Sequence, residues 1–136
     1  MTANLSKLSA PILADDASGH AHKIGVFTAG EVIPVASPVY IHSDGKIYKS
    51  VSSACTISNI AKFDGFVIDG CASGEVVTVW GIGTRVKVVA SGLVIGTYQW
   101  VSATAGAISD TKVASADLPI SKAVSATEIR VIRLPL

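Results

Sequence analysis

Apolar residues along this chain fall in short runs that alternate with polar positions, and small turn residues interrupt them every few positions. The first run, Lys23-Ile24-Gly25-Val26-Phe27, ends at Thr28-Ala29-Gly30. Pro38-Val39-Tyr40-Ile41-His42 and Lys46-Ile47-Tyr48-Lys49 flank Ser43-Asp44-Gly45, whose Asp-Gly pair tolerates the positive φ that a hairpin turn needs. Phe66-Val67-Ile68 predicts a short buried strand ended by Asp69-Gly70. In Val76–Trp80 the odd and even positions are both apolar enough to suit a strand covered on two faces. Gly81-Ile82-Gly83 then turns the chain into Arg85-Val86-Lys87-Val88, which sets its two cations on one face and its valines on the other. Period-2 runs separated by turn signals predict an antiparallel barrel or sandwich. The spacing of Ala54, Ile57, Ile60 and Ala61 allows one short helix between Ser52 and Lys62.

The rhythm of strands and turns repeats weakly. Gly30-Glu31-Val32-Ile33, Val39-Tyr40-Ile41 and the turn Asp44-Gly45 find counterparts in Gly92-Leu93-Val94-Ile95, Gln99-Trp100-Val101 and Ala105-Gly106. Each copy closes with a strand opened by glutamate, Glu75–Trp80 and Glu128–Arg133. No cluster of His, Cys, Asp or Glu repeats with it, so the duplication carries shape and no chemistry. Residues 1–21 lack a sustained period, because Pro11 interrupts the aliphatics Leu5, Leu8, Ile12 and Leu13 and Asp15-Asp16-Ala17-Ser18-Gly19 forms a turn. They predict an N-terminal arm, either frayed or docked, ahead of a single β domain over 22–136.

Composition strengthens the β assignment. Seventeen Val and fourteen Ile stand against seven Leu, and branched Cβ atoms pack well on a pleated sheet. With 136 residues the chain is long enough for one core. Charged residues make up 15%, the formal net charge is +1 and the mean hydropathy is +0.52. So few charges on so apolar a chain favour an oligomer or a protein lying against a scaffold. Eleven Lys and Arg scattered among ten acids supply no concentrated basic face, so no nucleic-acid partner is expected. No apolar run approaches the roughly 20 residues of a membrane-spanning helix, and Met1–Ile12 holds no continuous signal-peptide core.

Candidate chemistry is sparse. His20 and His22 share a strand face, but a closed zinc site needs four ligands and only His42 and distant carboxylates remain. Cys55 and Cys71 form no CxxC motif and read as free thiols of a reducing compartment. Asp15-Asp16 suits a solvated turn better than a cation site. No Gly-x-Ser-x-Gly elbow occurs, and Gly81-Ile82-Gly83 lacks the third glycine and the helix of a dinucleotide fingerprint. No catalysis, cofactor or metal is expected. Tyr40, Tyr48, Tyr98, Trp80 and Trp100 suit core or interface packing, with a sugar-binding platform as the alternative. Arg130 and Arg133 beside Leu134-Pro135-Leu136 suit a subunit contact or a solvated tail.

From Lys23 onward, Pro38–Ile41 with Asp44-Gly45-Lys46-Ile47, Phe66–Asp69 before Gly74–Val79, Gly81–Val86, Trp100-Val101 with Gly106-Ala107-Ile108, Pro119–Val124 and Ile129–Leu134 form a layout that resembles the capsid cement, or head decoration, proteins of tailed bacteriophages. The resemblance implies a compact β-barrel or β-tulip domain, made in the host cytoplasm, that binds the outer capsid surface as a homotrimer. It implies the major capsid protein as partner and an extended arm, here carrying Leu5, Leu8, Ile12 and Leu13, laid across neighbouring capsid subunits. A trimer making many modest contacts at once would bind tightly through effective concentration and stabilise the assembled shell. The alternative from another class is a β-sandwich carbohydrate-binding module on a virion or cell surface, using Tyr40, Trp80 or Trp100.

Overall fold

The computed structural model describes residues 4–9, 12–13, 23–52, 63–112 and 118–132. Eleven strands follow one another: β1 (Ile12–Leu13), β2 (Lys23–Thr28), β3 (Ser37–Ile41), β4 (Ile47–Lys49), β5 (Gly65–Val67), β6 (Val76–Trp80), β7 (Arg85–Lys87), β8 (Tyr98–Val101), β9 (Ile108–Ser109), β10 (Ser121–Ala123) and β11 (Glu128–Val131). No helix occurs among the described residues. The short helix expected near Ser52–Lys62 falls on 53–62, outside the described residues.

The strands form two antiparallel sheets. The first has the order β2-β6-β5-β3-β4, and the second has the order β1-β7-β11-β10-β8-β9. The first curls into a half-barrel until its opposite edges meet. Ala29, just past β2, bridges Ile47 of β4, and the Gly30 amide donates to the Ile47 carbonyl at 2.9 Å. That closeness requires a glycine, since a Cβ at Gly30 would overlap the Tyr48 ring. The β3–β4 hairpin turns at Gly45, with φ 82°, and Asp44 Oδ1 accepts from the Lys46 amide at 2.9 Å.

Alternation along the strands makes two cores. Inside the half-barrel lie Ala29, Ile33, Val39, Ile47, Val67, Val77 and Val79. Between the sheets lie Ala36, Phe66, Ile68, Val86, Val88, Val89, Ile108, Ile129 and Val131, with Trp80 half-buried against them. β5 therefore has both faces covered, Phe66 entering one core and Val67 the other. Burying each large aliphatic contributes roughly 1.5–3 kcal/mol, so the two cores are the main source of the domain's stability.

The two copies of the sequence rhythm lie in different sheets. The first supplies the β3–β4 hairpin and glutamate-opened β6, and the second supplies the β8–β9 hairpin and β11. Under the second sheet a polar pair is closed on itself: Ser121 Oγ donates to Gln99 Oε1 at 2.8 Å, and Gln99 Nε2 donates to the Thr97 carbonyl at 3.2 Å. A satisfied buried pair of this kind fixes the β8–β10 register.

The described part of the N-terminal segment lies on its own domain. Leu5 and Leu8 donate backbone bonds to the Ile108 and Val88 carbonyls at 2.8 and 2.6 Å, and Leu5 packs against the core between the sheets. Ile12 and Leu13 pair with Lys87 and Val86 as the edge strand of the second sheet. Lys7 holds the segment down, since its Nζ donates to the Val35, Ala36 and Gly106 carbonyls at 2.8, 3.2 and 2.9 Å. Ala36 sits in the left-handed region at φ 50°, so two of these bonds clamp a backbone turn that L-residues rarely adopt.

Candidate docking surface

Of the residues singled out for chemistry, Cys71, His42 and Gly81-Ile82-Gly83 are among the described ones. The Cys71 thiol is half-buried, and burial first, then the charge of Glu75, pushes its pKa up, away from the reactive thiolate. His42 stacks its edge on Tyr48 at 5.3 Å between centroids, lies 6.2 Å from Tyr40, and keeps Nδ1 3.2 Å from Ser43 Oγ. No group of three or more possible metal ligands occurs among the described residues. His20, His22, Asp15, Asp16, Cys55, Arg133 and Leu134–Leu136 lie outside them. Gly81-Ile82-Gly83 is the turn between β6 and β7, with Gly83 at φ 93° and Ile82 exposed.

Four carboxylates on the first sheet and its turns are taken up by backbone donors, while Asp69 after β5 stays exposed. Glu31 accepts from the Lys49 amide at 2.8 Å, Asp64 from the Ile41 amide at 2.8 Å and Glu75 from the Ala72 amide at 2.6 Å. Asp44 accepts from the Tyr48 hydroxyl at 2.6 Å and from the Lys46 amide. Those bonds, the Tyr48 hydroxyl foremost, lower the Asp44 pKa, and the same hydroxyl bond raises that of Tyr48.

The second sheet is different. Its inward positions Gln99, Val101, Ser121, Ala123, Ile129, Val131 and Val86 are buried. Its outward positions run Tyr98 on β8, Lys122 on β10, Arg130 on β11 and Arg85 on β7, each directly opposite the next. Lys87 and Glu128 form the next row. Arg85 Nη1 reaches Glu128 Oε1 at 3.9 Å, whereas Lys87, Lys122 and Arg130 make no side-chain hydrogen bond or ion pair among the described residues. Lys122 lies over the Tyr98 ring, 5.6 Å from its centroid, and Tyr98 meets Trp100 edge-on at 6.4 Å and 63°. The Trp100 indole Nε1 is buried and has no acceptor among the described residues.

At one end of this sheet the turn 92–97 presents two large aliphatics. Val94 and Ile95 are 66% and 70% exposed. The turn is nonetheless rigidly tied: Leu93 and Gly96 amides donate to the Ala126 and Ala123 carbonyls at 3.0 and 2.9 Å, and Thr97 Oγ1 donates to the Val94 carbonyl at 2.6 Å. Val26 on β2 and Val76 on β6 of the first sheet are also more than half exposed. Pattern reasoning found the Arg85/Lys87 face, but it missed Lys122 and the row itself. The missing signal was the pairing of β10 with β8 and β11, which no local period encodes.

No family model matches the chain, and none of the curated proteins searched matches it.

Proposed function

We propose that this protein is a capsid decoration protein: a homotrimer that binds the outer surface of an assembled bacteriophage shell, through contacts with the major capsid protein, and stabilises it. The observation that carries the proposal is the turn holding Val94 and Ile95 out to solvent on backbone hydrogen bonds. A large apolar side chain on a mobile loop can fold back, but one held rigidly outward loses little entropy when a partner covers it. Val32, Ile82, Val26 and Val76 add exposed apolar area on a chain with few charges. The segment with Leu5, Leu8, Ile12 and Leu13 enters the proposal as a strap lying along the same domain, continuous with the edge of the second sheet.

The carbohydrate-binding alternative asks for exposed, coplanar rings. Tyr98 and Trp100 meet at 63°, and Trp80 is half-buried against the core, which weighs against a flat sugar platform. The direct test is to mix the purified protein with empty capsids assembled from tailed-bacteriophage major capsid proteins. Co-sedimentation at saturable occupancy, with light scattering giving three chains per particle of free protein, is the expected result. Failure to co-sediment, with retention on an immobilised glycan array, would move the function to the alternative.

A further inference from the structure

We infer that the outer face of the second sheet, centred on Lys122 and Arg130, docks a carboxylate-rich protein surface, with the Val94–Ile95 turn as its apolar anchor. The inference names the chemistry of the contact for the shell-binding function proposed and rests on it for the identity of the partner. Like charges directly opposite across an antiparallel pair destabilise a sheet. Lys122 stands opposite Arg130, and Arg130 opposite Arg85, with strand spacing putting the three within about 10 Å. Folding pairs Arg85 with Glu128 and sets Lys122 over the Tyr98 ring, but no described acid pairs with Lys122 or Arg130 in that row. An acidic partner would gain from all of it at once, and would remove the repulsion.

Charge balance on the chain argues against a second copy as occupant. The described carboxylates of a second copy supply no matching row: Glu31, Asp44, Asp64 and Glu75 already accept backbone amides, Glu128 is paired with Arg85, and the exposed Asp69 and Asp110 follow strands of different sheets. A single-stranded nucleic acid would want open ring faces on which bases stack. Here Lys122 covers the Tyr98 ring and Trp100 meets it edge-on. Carboxylates need only the row of donors, and the exposed turn beside it matches the usual anatomy of a protein interface, an apolar anchor with polar groups around it.

The test uses the whole protein and two variants, K122E/R130E and K122Q/R130Q, against three probes: empty capsids, an immobilised hexaglutamate peptide and a single-stranded oligonucleotide. Both positions are exposed and both variants relieve the like-charge row, so a melting temperature no lower than that of the unaltered protein is expected and is checked first. Capsid and hexaglutamate binding should fall about tenfold or more in K122E/R130E and less in K122Q/R130Q. Binding of the unaltered protein should also weaken as salt rises. If both variants occupy capsids as the unaltered protein does, the docking face is wrong while the decoration function stands. If the unaltered protein ignores capsids yet holds hexaglutamate through Lys122 and Arg130, the face stands and the decoration function falls. Tighter binding of the oligonucleotide than of hexaglutamate, or loss of the trimer in K122E/R130E, would overturn the inference in favour of nucleic acid or of a second copy.

Discussion

The two sheets are built from the same rhythm of strands and turns and treat charge in opposite ways. On the first, carboxylates are structural parts: Glu31, Asp64 and Glu75 accept amides, and Asp44 secures the hairpin of Tyr48. On the second, cations form a row that no described acid neutralises beyond the Arg85–Glu128 pair. A charge used to cap a backbone donor stabilises the fold whatever surrounds it. A charge aligned with its like contributes only when something outside arrives. The first sheet is thus finished by folding, and the second leaves part of its favourable electrostatics to a partner.

The two sheets share one cooperative unit through β5. Phe66 fills the core between the sheets while Val67 fills the half-barrel. Phe66→Ala should destabilise the protein by about 3–5 kcal/mol, through lost transfer energy and the cavity left behind. Urea unfolding followed by tryptophan fluorescence and by far-UV circular dichroism should give coincident transitions, both shifted. Transitions that separate, with one sheet outlasting the other, would show two independent layers.

The next largest effect concerns Lys7, a cation drawn inward. Burial pushes its pKa down to about 8 from 10.5, while three carbonyls receive its protons. Lys7→Met leaves those acceptors without a charged donor and should cost about 1–3 kcal/mol at neutral pH. The pH dependence has a definite sign. Between about pH 8 and 10.5 the unfolded chain keeps a proton that the folded chain has released, so the Lys7 contribution to stability rises with pH across that window. Parallel denaturation of the two proteins from pH 7 to 10.5 should show the unaltered protein gaining on the variant. A constant difference would mean that the carbonyls hold the ammonium fully charged.

Relieving the row should do the reverse of most surface substitutions. Arg130→Thr removes the central cation and places a good strand former opposite Lys122 and Arg85. Stability should rise by about 0.2–1 kcal/mol, read as a higher thermal midpoint at low salt that converges with the unaltered protein at high salt. A fall in stability would mean that the row is structural, and the contrast between the sheets would collapse.

Much of this architecture was legible locally. The Asp44-Gly45 hairpin, the buried Phe66-Val67 strand and the split of Arg85 and Lys87 from Val86 and Val88 each follow from a period of two and a turn residue. What could not be read locally is long-range pairing. Residues 4–9 have no period of their own, yet bonds to Ile108, Val88 and, through Lys7, Gly106 seat them on strands and turns some 80 to 100 positions away. The row Tyr98–Lys122–Arg130–Arg85 draws on four strands, so counting eleven cations among ten acids shows a scatter where the sheet makes a line. Composition registers how much charge a chain has. Register decides where it gathers.

The smallest effect tests the first sheet's side of the contrast. The bond between exposed Asp44 and half-buried Tyr48 lies at the surface, so it is screened and worth little. Its signature lies in pH. The Tyr48 hydroxyl, more than the Lys46 amide, lowers the Asp44 pKa, so the bond's contribution is present above the carboxyl's ordinary 3.8 and is lost as pH falls through the lowered folded value. The Tyr48 pKa is raised, so at the other end the contribution is full below the phenol's ordinary 10.0 and is lost as pH rises through the raised value. Tyr48→Phe should therefore weaken the protein slightly across the plateau between, while the two proteins converge below the folded Asp44 value. Carbon-detected titration of the Asp44 carboxyl should show its midpoint moving up toward 3.8 in Tyr48→Phe. A midpoint that stays where it was would assign the shift to the Lys46 amide, leaving the hairpin capped by backbone alone and the tyrosine with no electrostatic part in the first sheet.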